Sequence, residues 1–307
     1  MEIISLKVYF CLKFQFNNNI MREELEKKVQ RAIKLIQSAS KIAAENGCPE
    51  IELAYSSGKD SDVILELVKM ANVPYRAIHH CTTIDVAGTL KHAEDNGAEI
   101  MRPKKNFLQL LAYYGFPSRM NRHCCTNLKE MKVLDYAILG IRAEESNKRK
   151  ERYKEPEQCR VYSKKKKVRQ YFPILDWTKE DLVEFIEERG IKLHPLYYDE
   201  DGNIDATRRL GCMGCPLKSH KQRIESFKKH PNMVKLYVRG GGYYLDKHPN
   251  SKIASLVKDA YEFFCFDVFC ERSNTRFQEE FGGDNLFGDK VDCKQFLEDY
   301  FKIKFAD

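Results

Sequence analysis

Apolar and polar positions along the chain follow two periods. From Arg22 to Asn46 apolar side chains recur three and four apart, at Leu25, Val29, Ala32, Ile33 and Ile36, and Gly47 follows. That spacing predicts an amphipathic helix with a glycine stop. Ile51–Tyr55 is a short apolar run and predicts a buried strand, and from Ser61 a helix turns Val63, Ile64, Leu67 and Val68 inward. Tyr75–His79 predicts a second strand, Val86–Asn96 a helix ended by Gly97, and Ala98–Met101 a third strand. Asn106–Tyr114 predicts a helix ended by Gly115, and Leu134–Ile141 is a fourth strand-like run. Strands alternating with helices of these lengths predict an α/β fold, an open parallel sheet flanked by helices.

The flanks read differently. Leu6, Val8, Phe10, Leu12, Phe14 and Phe16 alternate with Ser5, Lys7, Tyr9, Cys11, Lys13 and Gln15. This period of two predicts an additional strand; the alternative is translation that begins at Met21. It is not a secretory signal, since no small-residue cleavage site follows. Residues 147–170 are densely charged, contain Lys164-Lys165-Lys166-Lys167, and read as a mobile surface loop. A core segment resumes at Tyr171–Leu175, and Thr178 is placed to cap a helix with Glu180 and Asp181 in its first turn. From Glu225 onward the chain is rich in Tyr and Phe and reads as helical. The expected division is 1–21 as an extension, 22–224 as the α/β domain with its cysteines, and 225–307 as a helical C-terminal region.

Composition narrows the setting. A length of 307 residues with 43% hydrophobic content provides an ample core. The net charge of +7 favours anionic ligands such as nucleotides and permits nucleic acid without requiring it. Eleven cysteines, an odd number without a secretory signal, argue against a disulfide framework and for a reducing cytoplasm. No apolar stretch approaches the roughly 20 residues of a membrane span.

Two motifs carry chemistry. The first is Ser56-Ser57-Gly58-Lys59-Asp60-Ser61, between the first predicted strand and its helix. Gly58 lets backbone approach an anion, while helix-start N–H groups, the Ser56, Ser57 and Ser61 hydroxyls and Lys59 are available to phosphate oxygens. The spacing is not that of the G-x-x-x-x-G-K-[ST] loop. The plainer reading is a tight strand–helix turn with capping serines. The second motif is the pair Cys124-Cys125 followed by Cys212-Met213-Gly214-Cys215. A C-x-x-C alone is redox or metal chemistry. Adjacent cysteines are unusual for closed zinc sites, whose ligands sit two to four apart, and thiolate tetrads suit iron–sulfur clusters. Zinc and unmetallated buried thiols remain alternatives.

The loop resembles the Ser-Gly-Gly-x-Asp-Ser loop of the PP-loop ATP pyrophosphatases and adenine-nucleotide alpha hydrolases. Within that superfamily the chain resembles the phosphoadenosine phosphosulfate (PAPS) reductase family. The resemblance runs through Gly115-Phe116-Pro117-Ser118-Arg119, Arg122-His123-Cys124-Cys125 with Lys129, and Gly140-Ile141-Arg142-Ala143-Glu144-Glu145-Ser146. It continues through Pro173-Ile174-Leu175-Asp176-Trp177, His194-Pro195-Leu196-Tyr197 and Gly211-Cys212-Met213-Gly214-Cys215-Pro216, covering roughly residues 50–220. It implies a five- or six-stranded parallel sheet with the nucleotide at the strands' carboxyl ends. It also implies a [4Fe-4S] cluster on Cys124, Cys125, Cys212 and Cys215, as in adenylylsulfate reductases. The chain departs from the family at Ser57, where the loop glycine is usual, and near its end. There Asp292-Cys293-Lys294-Gln295 replaces a catalytic Cys-Gly-x-His-type segment, while Cys265 and Cys270 read as buried.

The charged candidates follow from position. Arg142, at the carboxyl end of the fourth strand, suits phosphate or sulfate, and Glu144 and Glu145 suit orienting it or holding magnesium. Arg119, Arg122 and Lys129 are anion-binding candidates beside the first cysteine pair, with Lys132 on the same stretch. Cys48, Cys81, Cys159, His79, His80 and His194 read as structural. The expected activity is reduction of adenylylsulfate (APS) or PAPS to sulfite with thioredoxin-type electrons. The alternatives are an ATP-dependent sulfurtransferase acting on nucleic acid, as in DNA phosphorothioation, and a non-catalytic nucleotide- or redox-sensing module. Sequence leaves the oligomeric state open.

Overall fold

The computed structural model describes residues 2–163, 166–282 and 290–305, with side chains outside 2–22 and 162–166. The chain divides into two compact units that interleave in sequence. The first comprises Met1–His79, Gly88–Met101 and Lys132–Leu210, and the second His80–Ala87, Arg102–Met131 and Gly211–Asp307. The division therefore does not fall at a single point near residue 224, and both cysteine pairs belong with the C-terminal segments.

The first unit holds the sheet. Its strands are β1 (Ile51–Ala54), β2 (Tyr75–His80), β3 (Glu99–Met101), β4 (Tyr136–Ile138), β5 (Glu157–Ser163) and β6 (Lys166–Tyr171), in the order β3-β2-β1-β4-β6-β5. Strand β1 pairs in parallel with β2 (Leu53 opposite Ala77) and with β4 (Leu53 opposite Ile138). Strand β6 is parallel to β4, and β5 returns antiparallel to β6. The helices are α1 (Glu2–Glu45), α2 (Lys59–Ala71), α3 (Thr89–Asp95), α6 (Asn147–Arg152) and α7 (Lys179–Arg189); α4 (Phe107–Tyr114) and α5 (His123–Leu128) lie in the second unit. Leu25, Val29, Ala32 and Ile36 of α1 join Leu53, Val63, Ile64, Leu67 and Val68 in one core. The order reverses between β1 and β4, which makes a crevice at their carboxyl ends.

Several expectations are corrected. The alternating segment 6–16 is helical, part of a continuous α1. A lone strand there would need a partner for its edge groups, whereas a helix satisfies its own. Residues 147–170 are not a loop: α6 is capped by the Ser146 hydroxyl, and β5–β6 form a hairpin that joins the sheet, with Val168 and Gln170 buried. Of the lysine run, Lys164 and Lys165 lie outside the described residues. Helix α3 starts at Thr89, because Gly88 at φ +86° interrupts the expected Val86 start. Strand β4 spans three residues rather than eight.

The second unit is helical and aromatic, as expected of the tail. It adds α8 (His220–Lys229), α9 (Asn232–Lys247), α10 (Ala260–Phe264) with a π-helical turn Cys265–Phe269, α11 (Asn274–Phe277) and α12 (Cys293–Phe301). Phe107, Phe116, Phe227, Tyr237, Phe263 and Phe264 pack at its centre. Three consecutive glycines interrupt the side chains of α9. A Cβ on Gly240 would lie 2.6 Å from Leu111 Cβ on α4, whereas one on Gly242 would meet nothing nearer than Ala260 Cβ at 3.8 Å. Gly240→Ala should therefore destabilise the protein by about 1–3 kcal/mol through overpacking. Gly242→Ala should stabilise it by about 0.5–1 kcal/mol through helix propensity. Opposite shifts in urea midpoint check this; equal shifts would overturn it.

Candidate functional site

The loop between β1 and α2 is built around a strained turn. Ser57 adopts φ +59°, the left-handed region where glycine is at ease. Its side chain is fully buried and its Oγ donates to the Thr89 carbonyl at 3.0 Å. The departure from the family's glycine thus falls on a left-handed residue, held by one side-chain bond. The Ser61 hydroxyl donates to the Gly58 carbonyl (2.7 Å) and accepts the Ser56 N–H (3.2 Å), closing the turn. Beneath it lies Asp62, buried in the first turn of α2, where a carboxylate suits the dipole. Asp62 accepts from the Tyr55 hydroxyl and meets His92 Nε2 at 3.1 Å. Burial, then the Asp62 charge and its hydrogen bond, hold the Tyr55 pKa far above the ordinary phenol value. His194 packs edge-on to His92 with ring centroids 5.9 Å apart.

Serines 57 and 61 are thus occupied in holding the loop. Ser56 is exposed, while in the first turn of α2 the Ser61 and Asp62 N–H groups donate to the Gly58 carbonyl (2.8 and 3.0 Å) and that of Lys59 meets the Tyr197 hydroxyl. Gly58 has an ordinary φ of −89°; a Cβ there would sit 3.3 Å from Ser56 Oγ and 3.4 Å from the Tyr197 hydroxyl, so what it provides is access.

Cations gather around the loop. Arg142 is 4% exposed and donates from Nε to Asp60 Oδ1 (2.6 Å) and from a terminal nitrogen to Glu144 (2.9 Å). Lys59 Nζ lies 3.3 Å from Asp60 Oδ2 and 5.4 Å from the centre of the Tyr197 ring. Burial lowers the Lys59 pKa, with Asp60 opposing and Arg142 and Arg209 adding to the fall. Arg149 pairs with Glu145, which Arg209 also approaches at 3.8 Å. Burial and then Arg209 lower the Arg149 pKa, with a smaller contribution from Arg142. Four cations therefore face three carboxylates, Asp60, Glu144 and Glu145, and a polyanion arriving here would relieve the repulsion. Gly140 makes the approach of the two loops feasible, since a Cβ on it would lie 2.9 Å from the Asp60 carbonyl oxygen. Sequence reasoning quoted Gly140 only as part of a motif and missed Arg149, Arg209 and the Tyr55–Asp62–His92 brace. Arginines distant in sequence, one inside a charged run, carry no periodic signal.

The second unit brings the four cysteines together. Cys124 and Cys125 ride on α5, and Cys212 and Cys215 flank a turn whose Gly214 N–H donates to Ser226 Oγ (3.1 Å). All four line one small cavity of about 20 Å³ with Thr82, Lys129 and other side chains. The Cys212 thiol is 3.7 Å from Thr82 Oγ1. A hydrogen bond from Cys124, and then Lys129 and Arg122, bring the Cys125 pKa down to about 6. The same bond and burial push Cys124 up, and burial raises Cys215. Burial of the Lys129 ammonium works to lower its pKa, but Cys212, Asp85 and Cys125 outweigh it and leave it raised. No three His, Cys, Asp or Glu side chains among the described residues converge as ligands of a single metal ion. The thiols border a shared space rather than a point.

The remaining candidates are placed as follows. An Arg119 terminal nitrogen donates to the Lys218 carbonyl (2.9 Å), and Arg122 lies 4.0 Å from Glu130. Lys132 is no anion ligand: it is buried in the first unit 3.3 Å from Glu52, whose carboxylate also accepts the N–H groups of Val133 and Leu134. Cys265, Cys270 and Cys293 are buried in the aromatic core. Burial raises the Cys265 pKa strongly and, with Glu280, pushes Cys270 up to about 12. Among the described residues no helix is long and apolar enough to cross a membrane.

The profile of the phosphoadenosine phosphosulfate reductase domain matches residues 50–218, more than half of the chain, and the chain belongs to that family. It is accordingly a member of the nucleotide-binding PP-loop enzymes. An uncharacterised 37.8 kDa protein of Escherichia phage 186 is 31% identical over 151 residues, 44% of this chain and 42% of that protein. The match thus spans about two fifths of the length of that relative. Solved structures similar to it include a PAPS reductase from Candida auris in a phosphate complex (14% identity, 63% of this chain and 96% of that chain, TM-score 0.40). Others are an FMN adenylyltransferase from Candida glabrata with FMN and an ATP analogue (15%, 56% and 60%, 0.37) and a U34-tRNA thiolase from Methanococcus maripaludis with its [4Fe-4S] cluster (14%, 73% and 80%, 0.35).

Three substitutions probe the loop. Ser57→Gly removes left-handed strain of about 1 kcal/mol and loses a hydrogen bond of similar worth, so its melting temperature should stay within a few degrees of the parent. Ser57→Val, β-branched and without a donor, should melt several degrees lower. Gly140→Ala should keep the fold by circular dichroism yet weaken ATP-analogue binding at least about tenfold by calorimetry, because the loop must shift.

Proposed function

We propose that this protein activates an acceptor with ATP, releasing pyrophosphate, as the first step of a sulfur-transfer reaction. The observation that carries the reading is the state of the C-terminal cysteines. A reductase of APS or PAPS requires an accessible thiolate to attack sulfur. In this chain Cys265, Cys270 and Cys293 are each at most 5% exposed, in an aromatic core, and the first two are held protonated. The loop's four cations suit a triphosphate.

In this reading the start of α2, Ser56 and Lys59 bind the departing pyrophosphate. Arg142, aimed by Asp60 and Glu144, offsets charge developing at the α-phosphate. An acceptor oxygen attacks the α-phosphorus, the bond to the β-phosphate oxygen breaks, and pyrophosphate leaves. A sulfide-level donor then displaces AMP from the adenylated acceptor, so sulfur replaces oxygen with no net redox change. Magnesium would be taken by Glu144 and Glu145 in exchange for part of their pairing with Arg142, Arg149 and Arg209.

Cys124, Cys125, Cys212 and Cys215 would hold the inorganic centre. Thiols that ring a cavity support a polynuclear [4Fe-4S] group over a single tetrahedral zinc, which needs four ligands at one point. Bound there with all four irons ligated by thiolate, it would supply a redox-capable iron–sulfur group and hold the two cysteine segments together. Protein purified without oxygen should be brown with about four iron and four sulfide per chain. Cys212→Ser should lose that absorbance. Colourless protein with one zinc would overturn the cluster.

The activity test is pyrophosphate release from ATP in the presence of magnesium. It should fall by about 100-fold or more in Arg142→Ala. Sulfite release from APS or PAPS with a thiol donor, and no pyrophosphate from ATP, would overturn the proposal in favour of the reductase.

A further inference from the structure

The second unit carries two exposed tyrosines in a basic stretch of chain, of whose cations Lys129 lines the cysteine cavity and Lys105 lies against one of the rings. Over residues 102–131 the charged side chains are Arg102, Lys104, Lys105, Arg119, Arg122 and Lys129 against Glu130 alone. In the same stretch Tyr113 and Tyr114 end α4 with 51% and 42% of their surface exposed. The core does not need them: Phe107, Leu110, Leu111 and Ala112 form the buried side of α4. Both rings are nonetheless held in place. Tyr114 stacks on His123 with centroids 4.9 Å apart and planes 26° apart. Tyr113 stands edge-on to Tyr114 at 4.6 Å and to His248 at 6.5 Å, with Lys105 Nζ 5.2 Å from its ring centre. His123 directly precedes Cys124-Cys125, so this aromatic row reaches the backbone that carries the first cysteine pair.

We propose that this face binds single-stranded nucleic acid. Bases stack on Tyr113 and Tyr114, and Arg102, Lys104, Lys105 and Arg122 take the sugar-phosphate backbone. Preordered rings with Lys105 beside them, in a stretch of chain rich in cations, match a strand whose base faces are open and whose backbone is anionic. A duplex hides those faces, and an acidic peptide would use the cations while leaving the rings idle. The inference deepens the proposed function by naming the acceptor class, and as a role for the acceptor it rests on that reading. The binding itself requires no turnover, so failure of one is distinguishable from failure of the other.

The experiment measures anisotropy of fluorescein-labelled single strands of about twelve nucleotides, DNA and RNA, and of a matching duplex, with the full chain. Single strands should bind at least about tenfold more tightly than duplex. Tyr113→Ala/Tyr114→Ala should weaken single-strand binding about tenfold or more, while Tyr113→Phe/Tyr114→Phe keeps it, since the ring face and not the hydroxyl is used. Lys104→Ala/Lys105→Ala should reduce the slope of log affinity against log salt by about 1.4. Tyr300→Ala, on α12, should change nothing. If the double alanine variant melts early, Tyr113→Ala alone carries the comparison. Absence of saturable binding at low salt, duplex binding as tight as single-strand binding, or alanine variants that bind like the parent would overturn the proposal. Binding without pyrophosphate release would sustain this surface and remove the activity proposed above.

Discussion

The 2.6 Å contact between Arg142 Nε and Asp60 Oδ1 ties the loop after β1 to the loop after β4. Those two strands are neighbours in the sheet although 82 residues separate the partners. The tie exists because parallel pairing brings both carboxyl ends to the same edge, where the strand order reverses. It tolerates no side chain at Gly140, and it fixes a guanidinium that would otherwise sample many rotamers. Lys59, Arg149 and Arg209 then share the remaining carboxylates. What results is a site whose protein-borne anions are too few for its cations, ready for a ligand that brings its own negative charge.

The loop rests on a second constraint, the buried Asp62 beneath it. A carboxylate out of water is tolerable only when it is well partnered, and here Tyr55, His92 and the helix dipole share that role. This explains a division of labour among similar side chains. Ser57, Ser61 and Asp62 shape the loop, whereas Ser56 is exposed and Lys59 is buried against Asp60 and the Tyr197 ring.

Chemistry in the second unit follows from the setting of its thiols. Cys125, accepting from Cys124 and near two cations, is eased toward thiolate, while Cys265 and Cys270 in the aromatic core are driven the other way. The same element in the same chain is thus eased toward thiolate in one place and held protonated in another. The aromatic residues show a comparable split. Phe116 and Phe263 stack at 4.0 Å inside the core, while Tyr113 and Tyr114 stay in contact with water at the end of the same helical layer.

By itself the sequence determined the alternation of strands and helices, the strand–loop–helix start at Ser56–Ser61, the ordering of the four cysteines and the family to which they belong. Each is written in contiguous residues or in local periodicity, and local torsional and burial preferences suffice to read it. The hairpin at 157–171 and the helical state of 6–16 were not legible. Charged strands look like loops until a neighbour supplies their hydrogen bonds, and an alternating segment becomes a strand only where a sheet edge accepts it. The site's cations were half legible: Arg142 sits beside a strand end, but Arg149 and Arg209 lie far apart in a charged background. Only tertiary structure decided which of many arginines meet at the loop and that Cys293 is sealed away with Cys265 and Cys270, because electrostatic and burial energies depend on distances that sequence separation does not encode.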